Sequence, residues 1–350
     1  MHILIIQTAF LGDVVLTLPL IEALHQHFPE ASVEVLTVPA HAPLLRDQPG
    51  VAAVLIYDKR GTQRGLRGFC SVVRRIRARG YDLVLSPHRS LRSALLVACS
   101  RIPQRIGFAQ RLTRWAYTAT VPRPLATHEV QRNLHLLSAL DTLPTPDIDR
   151  LSLCVAASAR QTAEAYFVQS GVESNDLVIG IIPGSQWGTK RWPAERFAAL
   201  IDYLAAMPRT HFALFGGPQD RAIADTIRTT CHAPVLDLIG HTPLHELPAY
   251  IEHCTVIISN DTGPMHIAAA LGKPIVALFG PTTSAMGFAP YGVPWEEVSV
   301  ALECRPCNAH GPQRCPLSHW RCMLELTVER VATSVQRLLS HTADVQERRL

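Results

Sequence analysis

Short, continuously apolar runs alternate with helix-spaced patterns along most of this chain. Residues 3–6 form an unbroken hydrophobic run, as fits a parallel strand covered on both faces. Over 14–28 the apolar positions Leu16, Leu20, Ala23 and Leu24 instead fall at helical spacing. Strand patterns follow at 32–38, 54–57, Leu83–Ser86 and 105–108, with helices predicted over 69–79 and Leu91–Ser100. Residues 121–153 are richer in proline (Pro122, Pro124, Pro144, Pro146) and hold one helical pattern, 129–140. The alternation restarts with a strand at Leu177–Ile182, a helix at 193–207, a strand at 212–215, a helix at 220–230 and a strand at 235–238. Two more apolar strands, 254–258 and Ile275–Phe279, enclose a helix-forming run at 267–271. Such regularity predicts an α/β protein of doubly wound parallel sheets. Two similar halves in series are expected: residues 1–165, residues 166–335 and a tail at 336–350, with the linker inside 150–176. Ligands bind beyond the carboxyl ends of such strands, so the cleft between the halves is the expected site.

Two strand-to-helix turns carry candidate chemistry. The first, Gln7-Thr8-Ala9-Phe10-Leu11-Gly12-Asp13, contains one glycine and one carboxylate. A dinucleotide fingerprint needs Gly-x-Gly-x-x-Gly, so a nicotinamide or flavin enzyme is disfavoured. Asp13 either caps its helix or stands as a proton acceptor at the rim of a cleft. The second turn, Ser259-Asn260-Asp261-Thr262-Gly263-Pro264-Met265-His266, sits where backbone N–H groups and the positive helix end favour anions. Gly263 permits close approach of a ligand, and Pro264 suits a first helical turn.

A third loop, 183–193, offers Gly184, Ser185, Gly188, Thr189 and Lys190 as a phosphate cradle of backbone amides, hydroxyls and one point charge. Its order is not that of a Walker A loop. Lys190 is conspicuous because the chain has three lysines and thirty arginines. Asp220, after Gly216-Gly217-Pro218, either caps a helix or meets a ribose hydroxyl. Cys304, Cys307, Cys315 and Cys322 have spacing that permits a structural zinc site, with His310 and His319 as spare ligands. The alternative is a set of reduced thiols packing a loop.

Composition narrows the class. A hydrophobic fraction of 47% with 18% charged residues describes a packed globular chain. No apolar run approaches the roughly 18–20 residues of a membrane helix. The apolar N-terminus lacks preceding basic residues and carries Asp13, so no signal peptide is expected and a cytoplasmic location is. Charge is uneven: residues 1–165 hold 19 Lys and Arg against 12 Asp and Glu (net +7), and residues 166–350 hold 14 against 17 (net −3). Lys59, Arg60, Arg64, Arg67, Arg74, Arg75, Arg77, Arg79, Arg89 and Arg92 make the first half a candidate for an anionic partner. No nucleic-acid motif accompanies them.

Gly12-Asp13, Lys190-Arg191-Trp192-Pro193, the 260–266 segment and the 279–282 segment together resemble the bacterial ADP-heptose:lipopolysaccharide heptosyltransferases, glycosyltransferase family 9, over about residues 1–335. Cys304-Arg305-Pro306-Cys307, with Cys315-Pro316-Leu317 and Arg321-Cys322-Met323, is similar to the heptosyltransferase II-type branch. The resemblance implies a GT-B fold, two Rossmann-like domains facing a central cleft, with the acceptor on the first and ADP-heptose on the second. It implies Asp13 as general base, Lys190 on the diphosphate, and Asp261, Thr262, Gly263 and His266 at the donor. Ser185 matches a hydroxyl near the phosphates, Asp220 a ribose carboxylate, and Thr242 the adenine edge. Gly12, Gly184, Thr189 and Pro264 are counted with the donor site; Lys59, Arg60, Arg64 and Arg89 with the acceptor. The implied reaction is inverting heptose transfer to the lipopolysaccharide inner core (Kdo and heptose on lipid A), peripheral to the cytoplasmic membrane face. It requires no cofactor, ADP-heptose being a substrate, and no metal. Competing expectations are a transferase with another donor or acceptor, a nucleotide-sugar epimerase, and a non-catalytic binding protein. Retention of both Asp13 and Lys190 argues against the last.

Overall fold

The computed structural model describes residues 1–140 and 148–347, so Pro144 and Pro146 lie outside the described residues. The chain divides into two compact units, Met1–Cys154 and Val155–Leu350. The first contains β1 (His2–Ile6), β2 (Ser32–Thr37), β3 (Ala53–Ile56), β4 (Leu83–Ser86), β5 (Gln104–Phe108) and β6 (Ala119–Val121). Their order across the sheet is β3-β2-β1-β4-β5-β6, and every pairing is parallel. The second contains β7 (Leu177–Ile182), β8 (Thr210–Leu214), β9 (Val235–Asp237), β10 (Val256–Asn260), β11 (Ile275–Phe279) and β12 (Trp295–Ser299). Their order, β12-β11-β10-β7-β8-β9, traces the same path as the first sheet, again all parallel.

In each sheet the chain winds outward from its first strand, then crosses back to the other side of it. The reversal falls between β1 and β4 and between β7 and β10, where the crevice at the strand ends opens. Ile3, Leu4, Ile5 and Ile6 are fully buried, so both faces of β1 are covered and the run has no need to alternate. In the second unit Trp192 anchors the core, its Nε1–H donating to the Leu326 carbonyl at 2.9 Å and its ring edge-on to Phe197 at 4.9 Å.

Several features differ from the sequence pattern. The helix over 14–28 is two helices, Leu11–Val15 and Leu18–His27. Thr17 intervenes, its Oγ1–H donating to the Asp13 carbonyl at 2.7 Å, and Pro19 starts the second helix where a missing N–H costs little. Strands β6 and β12 escaped notice because both are sheet edges: one is three residues long, and the other, Trp-Glu-Glu-Val-Ser, is mostly polar. The helix Ala157–Gln169 fills part of the expected linker and packs with the second unit. Phe167 lies 6.1 Å from Tyr250 and 4.8 Å from His253, ring to ring, and Arg160 grips Glu252 with two bonds of 2.7 and 2.8 Å. Residues 155–165 therefore belong to the second unit and not the first. The expected tail from 336 is helical to residue 347, as the end of Val328–Glu347, and its Leu338 is buried; residues 348–350 lie outside the described residues.

Candidate active site

Asp13 stands in the first turn beyond β1, at the reversal point of the first sheet. Its Oδ2 accepts the Phe10 N–H at 3.1 Å, so the capping role is real. Burial first and the Glu129 charge second push its pKa up to about 6, against the Phe10 N–H, which lowers it. Such a carboxylate is ionised at neutral pH yet more basic than an ordinary aspartate. Gly12 belongs to this same turn, while every other donor candidate lies in the second unit.

The ends of β1 and β4 share a polar cluster centred on His88, a residue that the sequence did not flag. His88 Nδ1 lies 3.0 Å from Thr8 Oγ1 and 2.9 Å from Ser93 Oγ. Burial, then the nearby Lys59 charge, lowers the His88 pKa to about 4, so the ring is neutral. Lys59 Nζ donates to the Thr8 carbonyl at 2.6 Å, and Arg92 donates to the Lys59 carbonyl at 3.2 Å. A histidine just past a strand, in Ser86-Pro87-His88-Arg89-Ser90, was the available signal. Arg60 and Arg64 are exposed. Arg89 is exposed as well, its guanidinium 2.6 Å from the Gln110 amide oxygen when that amide is turned to accept. Several other basic residues turn back onto the unit: Arg75 to the Ile56 carbonyl, Arg77 to that of Cys99 and Arg79 to Glu34.

In the second unit, the loops after β7 and β10 meet at that sheet's reversal point. Lys190 Nζ donates to Asp261 Oδ2 at 2.6 Å, and Thr282, just past β11, donates its hydroxyl to the same oxygen at 2.7 Å. Lys190 and Asp261 are each 8% exposed. Asn260 ties the loops together from behind, accepting the Trp192 N–H at 3.2 Å and donating to the Pro183 carbonyl at 2.7 Å. Thr262 caps the helix Gly263–Ala270 through its backbone, with Gly263 and Pro264 opening the first turn and His266 buried within it. Ser185 is buried, and its carbonyl accepts Arg191 Nε at 2.7 Å. Thr189 hydrogen-bonds the Pro312 carbonyl. Gly184 packs against Asp220, whose carboxylate a Cβ at 184 would strike. Asp220 Oδ2 itself accepts the Gly217 N–H at 3.1 Å, and burial raises its pKa. Thr242 stands apart, its hydroxyl 3.4 Å from the Leu238 carbonyl.

Segment 304–322 closes over this loop. Arg305 donates to the carbonyls of Gly280, Val300, Phe279 and Thr282, and His310 is near enough to Lys190 and Asp261 for their charges to act on it. Thr282 and Arg305 were read only as parts of motifs and His310 only as a spare zinc ligand, because their partners in this loop lie far away in sequence. For the cysteine run the spacing left open a zinc site or a set of reduced thiols. The His319 ring stands between Cys304, 3.8 Å from Nε2, and Cys315, 4.0 Å from Nδ1, and the Cys307 thiol turns to the Cys304 carbonyl. Among the described residues no three His, Cys, Asp or Glu side chains form a group that could hold a metal ion. The one Asp-x-Asp of the chain is Asp147-Ile148-Asp149. Asp147 lies outside the described residues and Asp149 is exposed.

The sequence model of glycosyltransferase family 9 (heptosyltransferase) matches residues 69–317. The chain belongs to glycosyltransferase family 9. This family 9 enzyme is 30% identical over 297 residues to lipopolysaccharide heptosyltransferase 3 of Escherichia coli K12, covering 82% of this chain and 83% of that protein. It is equally 30% identical to lipooligosaccharide heptosyltransferase 2 of Haemophilus ducreyi, over 81% of this chain and 84% of that one. A crystal structure of a family 9 glycosyl transferase from Veillonella parvula superposes with a TM-score of 0.83 at 25% identity, over 97% of both chains. The structure of E. coli ADP-heptose lps heptosyltransferase II gives 0.78 at 24%, over 98% of this chain and 100% of that one. The two Rossmann-like units are thus those of the GT-B fold, and the enzyme is a glycosyltransferase. Among the described residues no helix is long and apolar enough to cross a membrane.

Proposed function

We propose that this enzyme transfers heptose from ADP-heptose to the lipopolysaccharide inner core with inversion at the anomeric carbon, at the cytoplasmic face of the membrane. The observation that carries the reading is Asp13, a carboxylate past the central strand with its pKa raised to about 6. An acceptor hydroxyl attacks the anomeric carbon and passes its proton to Asp13, while the bond to ADP breaks and the diphosphate leaves with the electron pair. Lys190 spends one N–H on Asp261, leaving two for phosphate oxygens. With the N-terminus of Gly263–Ala270 it would neutralise the growing charge without reorganising. ADP-heptose is then a substrate, and no cofactor enters. Lys59, Arg60, Arg64 and Arg89 would meet the phosphates and acidic sugars of the acceptor.

The test is incubation with ADP-heptose and defined Kdo- and heptose-bearing acceptors, followed by mass spectrometry. A heptosylated acceptor is expected. Altered donor without acceptor would point to an epimerase, ADP release without acceptor to hydrolysis, and binding without turnover to a non-catalytic protein.

A further inference from the structure

The helix that packs on the Asp13 turn carries a buried charge set. Glu129 and Arg132, on the helix Glu129–Leu134, are 6% and 2% exposed. Glu129 Oε2 accepts Arg132 Nη1 at 3.0 Å and also pairs with Arg123. Arg132 further donates to the carbonyls of Pro124 and Leu125. A buried ion set of this kind contributes little net stability beside apolar residues of similar volume, so its presence calls for another role. The helix is fastened to the Asp13 turn: Asn133 Nδ2 donates at 2.9 Å to the carbonyl of Leu16, the residue that ends the helix bearing Asp13.

We propose that Glu129 is a positioning residue for the reaction, a fixed negative charge acting on Asp13, itself held by Arg123 and Arg132, that keeps Asp13 basic enough to take the acceptor proton. This rests on Asp13 being the general base. After burial, Glu129 is the largest influence raising the Asp13 pKa, and Arg123 opposes it. The other charged or titratable groups at the strand ends include His41 and Arg89, which are not among the influences on Asp13, and Lys59 and His88. The latter two are bonded to Thr8, and neither is among the influences on Asp13. Arg123 faces Phe108 across 5.9 Å and is thereby held in place beside the glutamate.

The experiment is the pH dependence of kcat/KM for the full enzyme with ADP-heptose and a core acceptor. Glu129→Gln removes the like charge, so the acidic limb should move down by about one pH unit. The plateau should fall several-fold, since a weaker base transfers the proton less well. Glu129→Asp keeps the charge and should keep the limb near its wild-type place. Arg123→Gln removes the opposing charge and should move the limb upward, which keeps the idea testable if Glu129→Gln does not fold. An acidic limb unmoved in Arg123→Gln, or in folded Glu129→Gln, overturns the proposal, as does Glu129→Asp shifting as far as Glu129→Gln. Failure of the underlying reading is seen separately, as an Asp13→Asn enzyme that still turns over.

Discussion

Lys190 and Asp261 are 71 residues apart in the chain and joined by a 2.6 Å ion pair. The pair links the loop after β7 to the loop after β10, so the candidate phosphate lysine is held in place before any ligand arrives. Lys190→Ala should therefore raise the donor KM and lower kcat by roughly 10²–10³-fold, because the charge meets both bound phosphates and leaving group. Steady-state kinetics with varied ADP-heptose check this; unchanged kcat and donor KM would remove Lys190 from the site.

Asp13→Asn should cut kcat by roughly 10²–10⁴-fold while donor affinity stays within a few-fold, since the amide keeps the shape but takes no proton. For the wild-type enzyme the sign of the pH effect follows from the raised pKa. Below about 6 Asp13 carries a proton and is inactive, so kcat/KM should rise through that value and level off above it. A profile flat from pH 5 to 8 would exclude Asp13 as the base.

Gly184→Ala places a methyl group against the Asp220 carboxylate. Both groups are held by neighbouring backbone, so a loss of about 1–3 kcal/mol is expected from overpacking. Denaturant unfolding measures it, and a weakened donor KM should accompany it. Stability equal to wild type would mean that the loop shifts freely and is no rigid cradle.

The basic half splits into two sets. Arg60, Arg64 and Arg67 are exposed, and their reversal to Glu should raise the acceptor KM and weaken binding to anionic vesicles, with both effects fading as salt screens them beyond about 8–10 Å. Arg75, Arg77 and Arg79 bond back to Ile56, Cys99 and Glu34, so their reversal should lower the unfolding midpoint first. Wild-type acceptor kinetics at low salt in the first triple variant would reduce that set to a solvated surface.

The central strands and their turns were legible in the sequence because fully buried parallel strands leave continuous apolar runs: Leu83–Ser86, Leu177–Ile182 and Ile275–Phe279 match residue for residue. What escaped was whatever depends on a partner distant in sequence. β12 is polar because only one of its edges and one of its faces need covering. Thr282 reads as part of a strand-ending Gly-Pro-Thr until Asp261 is seen against it. Glu129 and Arg132 look like the solvated i, i+3 charges of a surface helix, and only the fold reveals that both are buried. The cysteine spacing left a zinc site and a set of packed thiols both open, because spacing along a loop does not say where His319 will sit.

The shared strand order has a consequence for how the chain folds as it is made. β1 leaves the ribosome before the other strands of its sheet, yet it stands in the middle of that sheet. β2 and β3 can join one side early, but the other edge waits for Leu83–Ser86, which pairs with Ile3–Ile5. At roughly 5–20 residues per second, that edge of unpaired amides and carbonyls is open for several seconds. The second unit repeats the delay, β7 waiting for β10. Each nascent chain thus passes twice through a state with an open apolar strand, and chaperone demand should peak at those two lengths.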